Sequence, residues 1–407
     1  MLLLVLSACT HAPATGDDSP TDSGDSIPLV TDDTADSHES HDSVDTSVEC
    51  GEIPPDEPGY AALYDPTVVH TFALTVSSSA TASLAGDPSE YVVADLAVDG
   101  TVMNNVGLKM RGESSEQRWD GKPSFKIDLR AFDNCEPYAS VEHLLLNNGF
   151  DDPTQAKEMI SGSVMSTLGV VVPYTTFATV TVNGDLFGLY TNVEAVEAGF
   201  IGHHWGTTDG VLWEGGDDAD FSGRGQDAWN DVGGGGETAA IEAVTAVVAT
   251  SGEDFYAQAD ALVDMEQLLT EWGALAAVGH LGAFPYATKD IYLYQPSADG
   301  RFEFVPWGLD EGWDPAFGWN YAESALGLRC VYDPTCAEAL RVHIDAALTA
   351  SEDADVGGVA TAAFALSQVA MQADPRRGTT TTEVAAARSA LSTSIATWPA
   401  VVRAQLQ

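Results

Sequence analysis

Two carboxyl groups, Asp290 and Asp310, bracket a stretch of alternating character. It reads Lys289-Asp290-Ile291-Tyr292-Leu293-Tyr294, a turn at Ser297-Ala298-Asp299-Gly300, then Arg301-Phe302-Glu303-Phe304-Val305-Pro306-Trp307-Gly308-Leu309-Asp310-Glu311. Both flanks are rich in β-branched and aromatic residues, and Asp-Gly between them is a turn signal, so the spacing predicts a β-hairpin. A hairpin returns the chain to its start, which brings Asp290 near Asp310. Two oxygen donors beside aromatics that exclude water suit a divalent cation held over a phosphate. Ordinary solvated acids on a surface hairpin are the alternative.

The basic residues suggest the anion. Of sixteen Lys and Arg, none precedes Lys109, and then Lys109, Arg111, Arg118, Lys122, Lys126 and Arg130 fall within 22 residues. In so acidic a chain a concentrated basic patch marks an anion site, for which phosphate is the natural occupant, or else a set of surface ion pairs.

The elements that must position these groups are legible as strands and then helices. Val68–Val76, Tyr91–Val98, Met103–Met110 and Ser124–Leu129 alternate or run apolar, with a hairpin turn at Asp99-Gly100. A second hairpin, Thr175–Val182 with Leu186–Val193, is closed by Asn183-Gly184, and Glu194 follows it. Between them Asp152-Pro153-Thr154-Gln155 reads as a helix start, with Met159, Val164 and Leu168 as its apolar face and Gly169 as its stop. A capping box at Asp264-Met265-Glu266-Gln267 opens a helix toward His280, and Ala-rich amphipathic stretches cover about 336–350, 355–373 and 382–404. Asp218-Ala219-Asp220-Phe221-Ser222-Gly223 imitates a calcium loop, but its twelfth position is Trp229 where a Glu is required. Gly233–Gly236 lacks the Lys-Ser/Thr of a phosphate loop.

The pieces also form an ordered set. Met110-Arg111-Gly112-Glu113-Ser114-Ser115, Lys122-Pro123-Ser124-Phe125-Lys126-Ile127, Leu144-Leu145-Leu146-Asn147-Asn148, Val182 to Tyr190 with Glu194, Tyr292-Leu293-Tyr294 and Phe304 to Asp310 follow one another from about Val68 to Cys336. This set resembles the CotH kinase family, the spore-coat protein H-like atypical protein kinases. The resemblance implies an α+β, protein-kinase-like two-lobed fold that binds ATP with Mg²⁺ or Mn²⁺. Asp310 and Asp290 would be the catalytic and metal-binding acids. Arg111, with Lys122 or Lys126, would meet the nucleotide phosphates, and Glu158 on the helix after Asp152 would either pair with the phosphate-binding Lys, as the helix Glu of protein kinases does, or be a solvated helical Glu. Lys126 is in phase with Ser124 and Asp128, so it faces either the phosphates or solvent. The family's pattern has an acid two residues after the match to His280, where this chain has Gly282. It also has an acid at the place of Gly308 and an Asn at the place of Asp290. A Ser/Thr protein kinase acting on a surface or coat protein is therefore expected, with a catalytically weak, pseudokinase-type scaffold as the alternative.

Composition bounds the rest. A formal net charge of −46 excludes nucleic acid and anionic membrane surfaces as partners, and 44% hydrophobic residues suit a globular domain. No Gly-x-Ser-x-Gly elbow and no His-Glu-x-x-His zinc helix occurs, which sets hydrolases aside. Leu6-Ser7-Ala8-Cys9 fits a lipobox, so residues 1–9 are expected to be a lipoprotein signal with Cys9 lipidated. Its apolar run is short and lacks a basic flank, so the native start is expected upstream of Met1. Thr10 after Cys9, with no Asp there, favours export to the outer membrane or cell surface. Residues 10–57, mostly Asp, Ser, Thr and Pro, are expected to be a disordered acidic linker. The catalytic-sized domain is then 58–407, split into a β-rich lobe at 58–215 and an α-rich lobe at 216–407. The four remaining cysteines are even in number, and two disulfides are expected: Cys330–Cys336 from proximity and Cys50–Cys135 by elimination.

Overall fold

The computed structural model describes residues 59–112, 118–132, 135, 138–250, 252, 254–313 and 318–407. The expected signal and linker, together with Cys9 and Cys50, lie outside the described residues, as does Glu113-Ser114-Ser115 of the first motif.

The first lobe is a seven-stranded closed barrel. Its strands are β1 (Val69–Val76), β2 (Val92–Val98), β3 (Thr101–Arg111), β4 (Ser124–Asp128), β5 (His143–Asn147), β6 (Thr175–Val182) and β7 (Asp185–Glu194), in the order β1-β2-β3-β4-β5-β7-β6. All neighbours are antiparallel except β1 and β6, whose parallel pairing (Val69 opposite Phe177, Leu74 opposite Val182) closes the barrel. Alternation explains the interior: Leu108, Met110, Phe125, Ile127, Leu144, Leu146, Val180 and Tyr190 are buried in one cluster. Glu194 ends β7 almost wholly buried; its carboxylate accepts from the Tyr174 amide at 2.9 Å, and burial pushes its pKa well up.

The opposite phase of the strands makes the barrel's outer face. Lys109, Lys126, Leu145 and Val193 form one cross-strand row, one residue out of step with the core. Leu145 and Val193 are covered there by Trp307 of the second lobe. Helices α1 (Tyr60–Leu63) and α2 (Ser78–Gly86) belong to the barrel lobe, and α3 (Lys157–Thr167) links it to the second.

The expected hairpin exists, as β10 (Ile291–Pro296) and β11 (Glu303–Pro306), with Ile291 opposite Pro306. It forms one side of a second sheet, order β11-β10-β8-β9, with β11 at the edge, completed by β8 (Gly210–Gly215) and β9 (Trp229–Asp231). Helices α4 (Ala198–Trp205), α5 (Thr238–Ala249), α6 (Phe255–Asp260), α7 (Met265–Val278), α8 (Ala325–Tyr332), α9 (Pro334–Asp353), α10 (Val356–Ala373) and α11 (Thr381–Gln405) complete the chain. The fold is thus α+β, with a β-rich first lobe and an α-rich second. Asp264 caps α7 through the Gln267 amide, but the Gln267 side chain does not reach back. It bonds both the Phe304 amide and carbonyl, at 2.9 and 2.7 Å, and so ties β11 to the helix.

One helix boundary differs from the sequence expectation. The first helix starts at Lys157, because Gln155 takes a left-handed backbone (φ 53°) after Pro153. Asp152 caps it from a distance, accepting from the amides of Ala156 and Lys157 at 2.8 Å each. Helix α10 is long and apolar enough to cross a membrane by length and composition. Its buried face (Ala360, Ala363, Ser367, Met371) packs in the second lobe's core. The acidic loop also has a structural role: buried Asp220 accepts from the Ala325 amide at 2.9 Å and fixes the start of α8.

Cys330–Cys336 is formed, between α8 and α9. Cys135 is also disulfide-bonded, while Cys50, its expected partner, lies outside the described residues.

Candidate active site

The open end of the hairpin meets the barrel's outer face and α3. Here the Trp307 amide donates to the Asp290 carbonyl at 2.9 Å, so the two chain ends leave the hairpin side by side. Gly308 then turns with φ 63° into a short 3-10 turn, Leu309–Glu311, which carries Asp310. Leu309 is buried against α3: a Cβ on Gly162 would stand 3.7 Å from its Cδ1, so a small residue there lets the turn sit close. Asp290 itself has a left-handed backbone (φ 55°), a conformation that Asp tolerates better than most residues but at some strain.

The acids sit in a common electrostatic environment. Burial, then the charge of Asp152, with Glu311 and Asp290 adding to it, pushes Asp310 up to about 6. Asp290 also rises to about 6, chiefly through burial and against the pull of Lys289. Glu158, in the first turn of α3, is pushed up to about 8 by burial and then by Asp310. Three carboxyl groups that resist ionisation together, with few cations among them, form a hard-oxygen donor set with charge to spare. Such a set fits Mg²⁺ or Mn²⁺ better than a soft metal.

Arg111 reaches this acid group from the end of β3. Its guanidinium donates to Asn147 Oδ1 at 3.1 Å and stands over the Trp307 ring at 5.8 Å. The Asn147 amide in turn lies 3.3 and 3.4 Å from the two Glu158 oxygens. Glu158 is therefore joined to Arg111 through Asn147, and no Lys contacts it among the described residues. This corrects the expected Lys–Glu pair. Glu158 instead meets Asn147 at the end of β5.

The two candidate lysines separate. Lys126 lies on the outer face, in the row that Trp307 covers, and makes no hydrogen bond or ion pair among the described residues. Lys122, expected at the phosphates, is only 6% exposed and is bonded to Asp374 at 2.8 Å. Asp374, just after α10, also accepts from the Leu189 amide at 3.0 Å and the Arg376 amide at 2.8 Å. A lysine held this way is not available to a nucleotide.

His280 is fully buried and pushed down to about 4 by burial, hence neutral, with Nε2 3.4 Å from the Trp307 carbonyl. It braces the end of α7 against the hairpin. Sequence reasoning gave no role to Asn147, Lys289 or Glu311; Lys289 bonds both Asp290 (3.1 Å) and Glu311 (2.9 Å). The adjacency of Lys289 and Glu311 to the two named acids was the only signal. Glu142, His143 and Glu197 form a second group, with possible ligand atoms within 4.8 Å of one another. His143 Nδ1 is already 2.7 Å from Glu197, whose other oxygen accepts two amides.

The raised acids give a pH prediction. A cation takes these carboxylates ionised and must displace their protons below pH 6. Affinity for Mg·ATP should therefore weaken as pH falls from 7.5 to 5.5, by about tenfold per unit for each proton displaced. Calorimetric titrations at four pH values measure this, and a flat profile would remove Asp290 and Asp310 as ligands.

A family profile described as CotH kinase protein matches residues 108–329, just over half of the chain. The chain is similar to the inner spore coat protein H of Bacillus subtilis (strain 168), 24% identical over 210 residues, covering 47% of this chain and 55% of that protein. It thus spans about half the length of this curated relative. Among solved structures, the crystal structure of a Helicobacter pylori proinflammatory kinase CtkA matches at 10% identity and a TM-score of 0.33, over 73% of this chain and 93% of that one.

Proposed function

The chain belongs to the CotH kinase family, and from that premise we propose that it transfers the γ-phosphate of ATP to a Ser or Thr hydroxyl of a surface or coat protein. The observation that carries this reading is the convergence of Asp290, Asp310 and Glu158 with Arg111 where hairpin, α3 and barrel meet. Phosphoryl transfer asks mainly for positioning and charge neutralisation, and the site is arranged for both.

Each residue has a task that follows from its place. Asp310 and Asp290 would hold a divalent cation, whose chemistry is to neutralise charge on the transferring phosphoryl group. Arg111, oriented by Asn147 and Glu158, faces the phosphates, with Lys126 as the second cation on the same barrel face. Trp307, packed on Leu145 and Val193, keeps water from the inner wall of the cleft. Glu158 holds Arg111 in place through Asn147, and at neutral pH it carries a proton for much of the time.

The protein substrate, export, lipidation at Cys9 and an outer-membrane or cell-surface location are parts of the same proposal. They rest on the lipobox, the acidic linker and the paired cysteines. A scaffold on a weakened kinase fold is the second reading, favoured by the absence of a side chain at Gly282 and Gly308.

The test is transfer of label from γ-labelled ATP to casein with Mg²⁺ or Mn²⁺, and with the cation removed by EDTA. Label that needs the cation supports the kinase; bound ATP without transfer supports the scaffold.

A further inference from the structure

Gly282 follows the buried His280 by two residues, and its backbone lies outside the left-handed region that would demand a glycine. What the missing side chain makes room for is another residue. A Cβ built on Gly282 would overlap the Glu311 carboxylate, whereas the next neighbour, His280 Cε1, is an ordinary 3.6 Å away.

Glu311 closes the turn that carries Asp310. Lys289 holds its Oε1 at 2.9 Å while also contacting Asp290 at 3.1 Å. Its Oε2 makes no hydrogen bond among the described residues. The side chain is 49% exposed, against 24% for Asp290, so this acid stands nearer solvent than its neighbour across Lys289. It is tethered at one oxygen and open at the other.

We propose that Glu311, seated against Gly282, is the catalytic residue that receives and orients the acceptor hydroxyl. The assignment rests on the phosphoryl-transfer reading above. In the step, the Ser or Thr oxygen bonds to the γ-phosphorus as the bond from γ-phosphorus to the bridging oxygen breaks. ADP leaves with that bond's electron pair, and the hydroxyl proton passes to Glu311 Oε2 and on to water. Asp290 and Asp310 remain free to hold the cation. Lys289 fixes the angle of the carboxylate and couples it to Asp290.

The experiment uses the full chain with Mg·ATP and casein, comparing wild type, Glu311→Ala, Gly282→Ala and Gly282→Asp with Glu311→Ala. Calorimetry of Mg·ATP binding reports on folding and on the cation site. Glu311→Ala should lower the rate constant for transfer about 100-fold, the lower end of what a positioned acid–base group contributes, with Mg·ATP affinity within about twofold of wild type. Gly282→Ala should lose transfer as well, because its Cβ takes the space of the Glu311 carboxylate. In the double variant that space is vacated, and an acid at 282 should restore at least tenfold of the lost rate. Wild-type transfer by Glu311→Ala, an equal loss of binding and transfer, or no rescue by the double variant would each overturn the assignment. Mg·ATP binding without transfer by the wild type would instead defeat the transfer reading, and the assignment with it.

Discussion

Asp310→Ala should abolish the proposed cation-dependent ATP binding and phosphate transfer and leave the fold intact. That is the largest functional effect expected of any single substitution here. Asp310 sits on a turn held from both sides, by α3 through Leu309 and by the hairpin through Trp307, so its loss should remove the proposed ligand and not a packing group. Calorimetry with Mg·ATP should show at least a hundredfold loss of affinity, about 2.7 kcal/mol. Thermal melting of the cation-free variant supplies the control. A carboxyl at about 6 in the folded chain and about 4 when unfolded binds more protons when folded, so its stabilising share is lost as pH rises through that window. Removing it should raise stability at pH 7 by about 2–3 kcal/mol, two pKa units at about 1.4 kcal/mol each, and change little at pH 4. A variant that still binds Mg·ATP like wild type would sink the cation site.

The second large effect is on stability. Lys122→Ala leaves Asp374 buried with its cation gone, and breaking a buried pair in this way costs about 3–5 kcal/mol. Asp374 is the more committed partner: a Cβ on Gly188 would overlap its carboxylate, and its oxygens also accept the amides of Leu189 and Arg376. The pair therefore fastens the barrel to the end of α10. Urea unfolding should show the loss, and Mg·ATP affinity of the folded fraction should be unchanged. A normal unfolding midpoint with lost nucleotide binding would return Lys122 to the phosphates.

Six of the seven barrel strands, all but β5, were readable to within a residue or two because burial on one face writes alternation directly into the sequence. β6 fell at the expected Thr175–Val182, and the hairpin of Asp290 and Asp310 formed where its turn residues indicated. The parallel closure of β1 on β6 was not readable, since it joins residues about a hundred apart and no turn announces it. β8 and β9 were missed as well: they are short, and the Gly and Asp around them look like loop. The start of α3 was misplaced for a local reason, the left-handed Gln155, which no propensity for Gln suggests.

The candidate site divides in the same way. Residue types and order along the chain, by themselves, determined the family, the α+β class, the hairpin and the two acids at its open end. These depend on local pattern and on one short-range return of the chain. Only the tertiary structure decided which charges meet the acids. Lys122 finds its partner 252 positions downstream and leaves the cleft, while Arg111 reaches Glu158 through Asn147. Glu311 fills the space left open at Gly282. A side chain's partner is set by where distant backbone passes, and by which neighbour lacks the atoms to block it, and neither is written in the residues next to it.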